Sequence, residues 1–427
     1  MKYDMCQDVK GKKLLILAGA PQHCKLVRAA KDMGVYTVVT DYLPDSPAKK
    51  YSDQAYQIDI KNVDRIVRLC EEEHIDGIIS SHIDPCQRPY YQICQQLRLP
   101  CYGTSEQFQK MTDKRMFKEM CKKNGVDIVP EYTENDVKSE TIAYPVFVKP
   151  VDSRGSRGQS VCYQRAELPR AIDLARSESS NDDVLIEKCM RGAHEIQVTY
   201  FFVDGEPHLI RTADSYCGSS ANHLENVVAY SVSPSRYTES YLATAHKSVV
   251  NMLRGLGVKY GPAFMQAFED SGRFYFFDPG LRFPGVDYEL IYQKVYGIDL
   301  MKAMVQIALT GKCCGLRLPP DSFQLAGKRA IALFPALKAG KIHAISGRKQ
   351  VTEDAHVVSF QQRYDIGDNV EWTYTVSQRF AEIQILGSGQ TDLMDVICRI
   401  QNELQVQDIF GQNMLINAFD ALTLNGA

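Results

Sequence analysis

The chain has no excess of either charge. Its 49 Lys and Arg stand against 52 Asp and Glu, a formal net charge of −3. That removes the electrostatic footprint expected of a nucleic-acid-binding or anionic-membrane-binding protein. No C-x-x-C pair occurs among the 13 cysteines, which are scattered singly apart from Cys313-Cys314. Neither a zinc site nor a thioredoxin-like motif is implied, and free thiols in a reducing compartment are expected. Long apolar runs are missing. The first, Leu14–Ala20, is too short and too late for a signal peptide or a membrane span, so the expected location is cytoplasmic. Internal repeats and low-complexity segments are absent. So is the dinucleotide fingerprint: the turn Ala18-Gly19-Ala20-Pro21-Gln22-His23 carries one glycine rather than G-x-G-x-x-G.

What is present is a chain of 427 residues, 44% hydrophobic and 24% charged, enough for two to four domains. The first hundred residues alternate strand and helix. Strands are expected over Lys12–Ala18, Tyr36–Thr40 and Gly77–Ser80, and helices over His23–Met33, Val63–Glu73 and Tyr90–Leu97. That alternation predicts a Rossmann-like, doubly wound α/β domain over residues 1–110. Thr112–Asn124 reads as a charged helix, capped by Thr112 or Asp113 and closed by Gly125. Hairpins are expected at Asp204-Gly205 and across Asp270-Ser271-Gly272. Long helices are expected over Thr238–Leu256 and Leu290–Leu309. Short strands should dominate after Pro319-Pro320, followed by a helix over Leu393–Leu404.

The richest stretch is Tyr144–Ser160, YPVFVKPVDSRGSRGQS. An apolar strand ends in Lys149-Pro150, and a loop with Gly155 and Gly158 leads into another strand, Val161–Tyr163. A lysine at a strand end beside backbone N–H groups freed by glycine suits phosphate. In a P-loop the glycines open a helix. Here they return to a strand, which makes a hairpin flap able to close over a nucleotide.

Several elements then follow in one order: Lys114; Lys149 with Ser153-Arg154-Gly155-Ser156-Arg157-Gly158; Glu187-Lys188-Cys189-Met190; Glu195; Gln266; and Asp278-Pro279-Gly280-Leu281-Arg282. This order resembles the ATP-grasp superfamily, in its biotin-carboxylase and carbamoyl-phosphate-synthetase-like branch. The resemblance implies a pre-ATP-grasp domain (1–110), an ATP-grasp domain (111–320) with a mobile lid at about 142–205, and a small β-rich C-terminal domain (321–427). It implies ATP and Mg²⁺ as cofactors, with Mn²⁺ as an alternative.

The resemblance also implies roles. Lys114 and Lys149 would hold phosphates under a flap that includes Ser153, Gly155, Ser156 and Gly158. Glu187, Lys188, Cys189 and Met190 would grip adenine, with Glu187 accepting from its exocyclic amine. Glu195 would bind ribose. Gln266 and Asp278 would ligate metal, although Gly280 stands where the family usually has a third ligand, Asn. Arg282 would be catalytic, neutralising the transferred phosphate or the substrate carboxylate. Arg211 and His223 fall in Arg211–Asn226, read as a substrate loop, and Arg363, Asp365 and Arg379 are candidates for the far side of the cleft.

The implied activity is phosphorylation of a small carboxylate and transfer of the acyl group to an amine, a C–N ligase reaction. Two alternatives stay open: bicarbonate-dependent carboxylation or carbamoyl-phosphate chemistry, and a nucleotide-binding module with little catalysis. Small-molecule substrates are the expected partners, with no nucleic acid and no membrane, and a homodimer is among the expected assemblies.

Overall fold

The computed structural model describes residues 9–139, 141–152, 157–190, 192–218, 224 and 227–416. The N-terminal segment forms a four-stranded parallel sheet in the order β3-β2-β1-β4, from β1 (Lys13–Leu17), β2 (Tyr36–Asp41), β3 (Gln54–Gln57) and β4 (Gly77–Ile79). The apolar run Leu14–Leu17 is fully buried, as a central parallel strand requires. Asp41, at the end of β2, accepts from the Gly19 N–H at 2.6 Å and from the Leu43 N–H at 2.9 Å. It fastens the turn after β1, in keeping with the missing dinucleotide fingerprint.

A second, small sheet runs β5-β8-β6-β7, from β5 (Glu131–Tyr132), β6 (Val146–Pro150), β7 (Ser160–Cys162) and β8 (Val184–Lys188). The helix Leu168–Ser177 packs on it, burying Val146, Val148, Leu168, Ala171 and Ala175 in a core of its own. A subdomain with a separate core can move as a unit.

The third sheet has eight strands. Its first five are β13 (Arg273–Gly280), β12 (Gly261–Asp270), β9 (His194–Val203), β10 (Glu206–Cys217) and β11 (Val228–Ser233). It continues through β14 (Arg329–Leu333), Ala381–Gly387 and Val357–Gln362, so strands of the C-terminal segment extend the central sheet. Two hairpins fall where the turn residues ask for them. Asp204 and Gly205 have φ of 52° and 89°, and Ser271 and Gly272 have 55° and 83°, the left-handed pair of a two-residue hairpin loop. Asp270 is the last residue of β12 rather than part of its loop.

Three expectations need correcting. The helix expected over Thr238–Leu256 is two helices, Thr238–Thr244 and His246–Leu256, and across the break the Tyr241 hydroxyl and His246 Nδ1 both meet the Tyr200 hydroxyl, at 2.6 and 2.8 Å. The helix expected over Leu290–Leu309 is also two, Tyr288–Tyr296 and Leu300–Thr310. Gly297 at φ 69° closes the first, and Asp299 caps the second by accepting from the Met301 and Lys302 N–H groups, so cap chemistry overrides a continuous apolar pattern. Finally, Arg211 lies in the middle of β10, not in a loop. Among the described residues no helix is long and apolar enough to cross a membrane, and none of the 12 described cysteines forms a disulfide.

Candidate active site

A cavity of about 550 Å³ opens between the small sheet and the large one. Lys114, Lys149, Glu195, Asp278, Arg282 and Met190 are among its walls. The helix Lys114–Lys123 starts at Asp113, whose carboxylate accepts from the Arg115 and Met116 N–H groups. That cap fixes Lys114 and, one turn on, Lys118 on the same face.

Lys149 sits on β6 opposite Leu185 of β8, only 2% exposed. Its Nζ lies 2.9 Å from Glu187 Oε2 and 5.3 Å from the centre of the Phe277 ring. Glu187 also pairs with Lys118, which reaches Glu131 at 3.1 Å. Burial holds Lys149 below its ordinary value, and Lys118 and Lys114 add to that while Glu187 opposes it. A lysine held down in this way is restabilised by any anion placed against it. Burial pushes the Glu187 carboxyl up, but Lys149 and Lys118 outweigh it, and the net shift is downward.

Glu187 is therefore the buried counter-ion of two lysines rather than an open acceptor for an exocyclic amine. Lys118 went unnoticed in the sequence, although its i+4 spacing from Lys114 on a capped helix was the available signal. The N–H groups of Lys188 and Cys189 are taken by the Pro130 and Pro145 carbonyls, at 2.9 and 3.2 Å. With Met190, Phe147 and Phe268, this strand end makes the apolar part of the cavity wall.

Lys114 approaches Asp278 Oδ1 at 3.1 Å. Gln266 and Asp278 face each other across β12 and β13. The Gln266 amide donates to Glu195 at 2.7 Å, which leaves its carbonyl oxygen for another partner. Burial, helped by the Asp278 charge, pushes the Glu195 carboxyl up to about 7 against the opposing bonds from Gln266 and Ser215. Glu195 thus stands with the two expected metal residues, on the large sheet. Among the described residues no group of three His, Cys, Asp or Glu side chains could hold a metal. Asp278, the Gln266 carbonyl and Glu195 still fit Mg²⁺, a hard cation that takes few protein oxygens and completes its shell with phosphates and water.

The missing Asn has a steric reason. A Cβ at Gly280 would lie 2.2 Å from the ring of Phe264, its partner across the strands. The Arg282 guanidinium lies over that same ring, 4.8 Å from its centre. Arg282 itself forms a two-pronged pair with Asp84, at 2.5 and 2.7 Å, and donates to the Phe283 carbonyl at 2.9 Å. The cavity floor is thereby tied to the N-terminal sheet.

Gly158 has φ of 68°, and a Cβ there would lie 2.9 Å from both Pro150 and Glu178 side-chain atoms. Ser153, Gly155, Ser156 and His223 lie outside the described residues. Arg211 is 2% exposed, and Arg379 also reaches the cavity. Arg363 and Asp365 are not among the cavity walls.

Residues 113–314 match the family profile described as carbamoyl-phosphate synthase L chain, ATP binding domain, and residues 14–87 match the PylC-like N-terminal domain. The chain is 25% identical to the 2-oxoglutarate carboxylase small subunit of Hydrogenobacter thermophilus, over 70% of this chain and 66% of that one. It is 24% identical to the formate-dependent phosphoribosylglycinamide formyltransferase of Prochlorococcus marinus, over 59% and 66%. The alignments thus span about two thirds of the length of these relatives.

Among solved structures, the biotin carboxylase domain of the Hydrogenobacter thermophilus enzyme, a dimer with MgADP and bicarbonate, superposes with a TM-score of 0.75 at 20% identity, covering 92% of this chain and 91% of that one. An L-amino acid ligase from Bacillus licheniformis gives 0.75 at 18%, covering 95% and 100%. At those identities the likeness is one of fold. The profile match over residues 113–314, with these relatives, shows that this part of the chain belongs to the ATP-grasp superfamily.

Proposed function

We propose that the protein is an ATP-dependent ligase that activates a small carboxylate as an acyl phosphate and joins it to an amine. The observation that carries this reading is a set of cations at one cavity: Lys149, backed by Lys118, pairs with Glu187, Lys114 pairs with Asp278, and Arg211, Arg282 and Arg379 are also among the walls. Such a cavity takes a polyphosphate against the lysines and a second anion against the arginines.

Lys149 and Lys114 bind the terminal phosphates of ATP, and the flap that ends at Gly158 closes over them. The apolar wall by Met190, Phe147 and Phe268 holds the base. Asp278, the Gln266 carbonyl and Glu195 would hold Mg²⁺, and the ion would supply shielding of the phosphate charge. A carboxylate oxygen of the substrate attacks the γ-phosphorus, and ADP leaves. An amine nitrogen then attacks the acyl carbon, the C–O bond to phosphate breaks, and the amine gives up a proton. Positioning and charge neutralisation supply most of the catalysis, since phosphoryl transfer asks little covalent work of the protein. Lid closure keeps water from the acyl phosphate.

Release of ADP in a screen of amino acids, singly and in pairs, checks the reading. Release that depends on an acid and an amine together is expected. The names of several relatives favour a second reading, with bicarbonate as the acid. Release that depends on bicarbonate alone would replace the first reading with the second.

A further inference from the structure

Arg211 and Arg379 are cations at the cavity wall with no carboxylate bonded to them among the described residues. The Arg211 partners are all neutral: Ser233 Oγ at 3.1 Å, Ser231 Oγ at 3.0 Å and the Gln197 side-chain oxygen. A guanidinium has five N–H donors, so three such bonds leave two, one on each terminal nitrogen. That is the two-pronged geometry a carboxylate accepts. Arg379 donates one bond, to the Val228 carbonyl at 2.9 Å, and lies over the Phe334 ring at 4.1 Å. Its Nε is buried without a partner.

The contrast with Arg282 is informative. Arg282 shares the cavity but is neutralised by Asp84. Glu382 is the acid whose charge acts on both Arg211 and Arg379, yet its Oε1 already accepts from the Asp287 N–H and the Gln384 amide. Burial pushes Glu382 up to about 7, and burial brings both arginines down to about 10. A buried charge without a counter-charge is costly, and a site keeps one where a ligand supplies the opposite sign.

Resting on the ligase reading, we infer that Arg211 and Arg379 bind a carboxylate other than the one that is phosphorylated. The substrate class is then an amino acid or dicarboxylic acid that keeps a free carboxylate through the reaction. Bicarbonate alone has no such second group. The reacting carboxyl lies toward Lys149 and Asp278, and the spectator carboxylate lies across the β10–β11 face.

The test compares each substrate found in the ADP-release screen with its carboxamide analogue, in wild type, Arg379→Gln and Arg211→Lys. Wild type should prefer the free carboxylate by about tenfold to a hundredfold in kcat/KM, as expected for a charged hydrogen-bonded partner. Arg379→Gln should lose most of that preference through KM, with the KM for ATP unchanged. Arg211→Lys keeps the charge but not the fork and should fall between. Carboxamides that serve as well as acids in wild type would overturn the inference while leaving the ligase reading intact, as would a preference that survives in Arg379→Gln. If no acid gives turnover, the ligase reading fails by itself. The spectator site is then judged by calorimetric titration of the MgADP-saturated protein with glutamate and with succinate. Binding to wild type that Arg379→Gln abolishes supports the site, and no binding to wild type overturns it.

Discussion

On the proposed reading Lys149 is a phosphate-binding group, and its buried pair with Glu187 makes it part of the fold as well. Lys149→Met removes one of two lysines that neutralise Glu187. Breaking a buried ion pair costs about 3 kcal/mol or more, so stability should fall along with activity. Lys149→Met combined with Glu187→Gln removes most of that uncompensated charge. The double variant should recover most of the melting temperature while ADP formation stays at least a hundredfold down. Full recovery of activity in the double variant would make Lys149 a structural lysine only.

Glu195 gives a pH prediction. Its folded value, about 7, lies above the ordinary carboxylate range. The folded state therefore holds a proton that the unfolded chain has released. The metal-free protein should lose stability as pH rises from about 4.5 toward 7. Mg²⁺ competes with the same proton, so its affinity should climb with pH up to about 7 and then level. Glu195→Gln should flatten that profile, and a profile unchanged by the substitution would remove Glu195 from the metal site. At this scale the residue types were legible but their pairings were not. Glu187, Lys118 and Lys149 come from two strands and a helix, and sequence spacing carries no information on which of them meet.

At the level of single elements, the β12–β13 hairpin holds the clearest consequence. Gly280 is glycine because the Phe264 ring fills the space above it. Gly280→Asn should therefore not restore a metal ligand, and it should destabilise by about 1–3 kcal/mol as an overpacked position does. Gly280→Asn with Phe264→Ala makes room and should bind Mg²⁺ more tightly than either single change, as measured by calorimetry.

In the small sheet, Gly158→Val meets Pro150 and Glu178 and strains a positive φ. Because that subdomain has its own core, ADP formation should fall sharply while the rest of the fold survives. The elements were largely legible from period and cap residues, and β8 runs over Val184–Lys188 as expected. The failures have local causes. Gly297 and Asp299 split one apolar pattern into two helices, and cross-strand pairing drew Arg211 into β10 although the segment after it is polar and rich in glycine and serine.

Across the whole molecule, the site depends on parts distant in sequence. Asp84 of the N-terminal segment holds Arg282, and Phe283 donates its N–H to the Ser81 carbonyl at 3.1 Å. Strands after residue 320 extend the same sheet that carries Gln266 and Asp278. Neither link could be read from order alone, since both are long-range. Order did anticipate a meeting in space, because Lys114, Lys149, Met190, Glu195, Gln266, Asp278 and Arg282 line one cavity. The most direct measurement of the central claim is trapping with hydroxylamine. In the presence of MgATP and the acid, but no amine, a hydroxamate should accumulate in step with ADP, and Lys149→Met should abolish both. ADP released at the same rate with and without every acid, and no hydroxamate with any, would contradict the account.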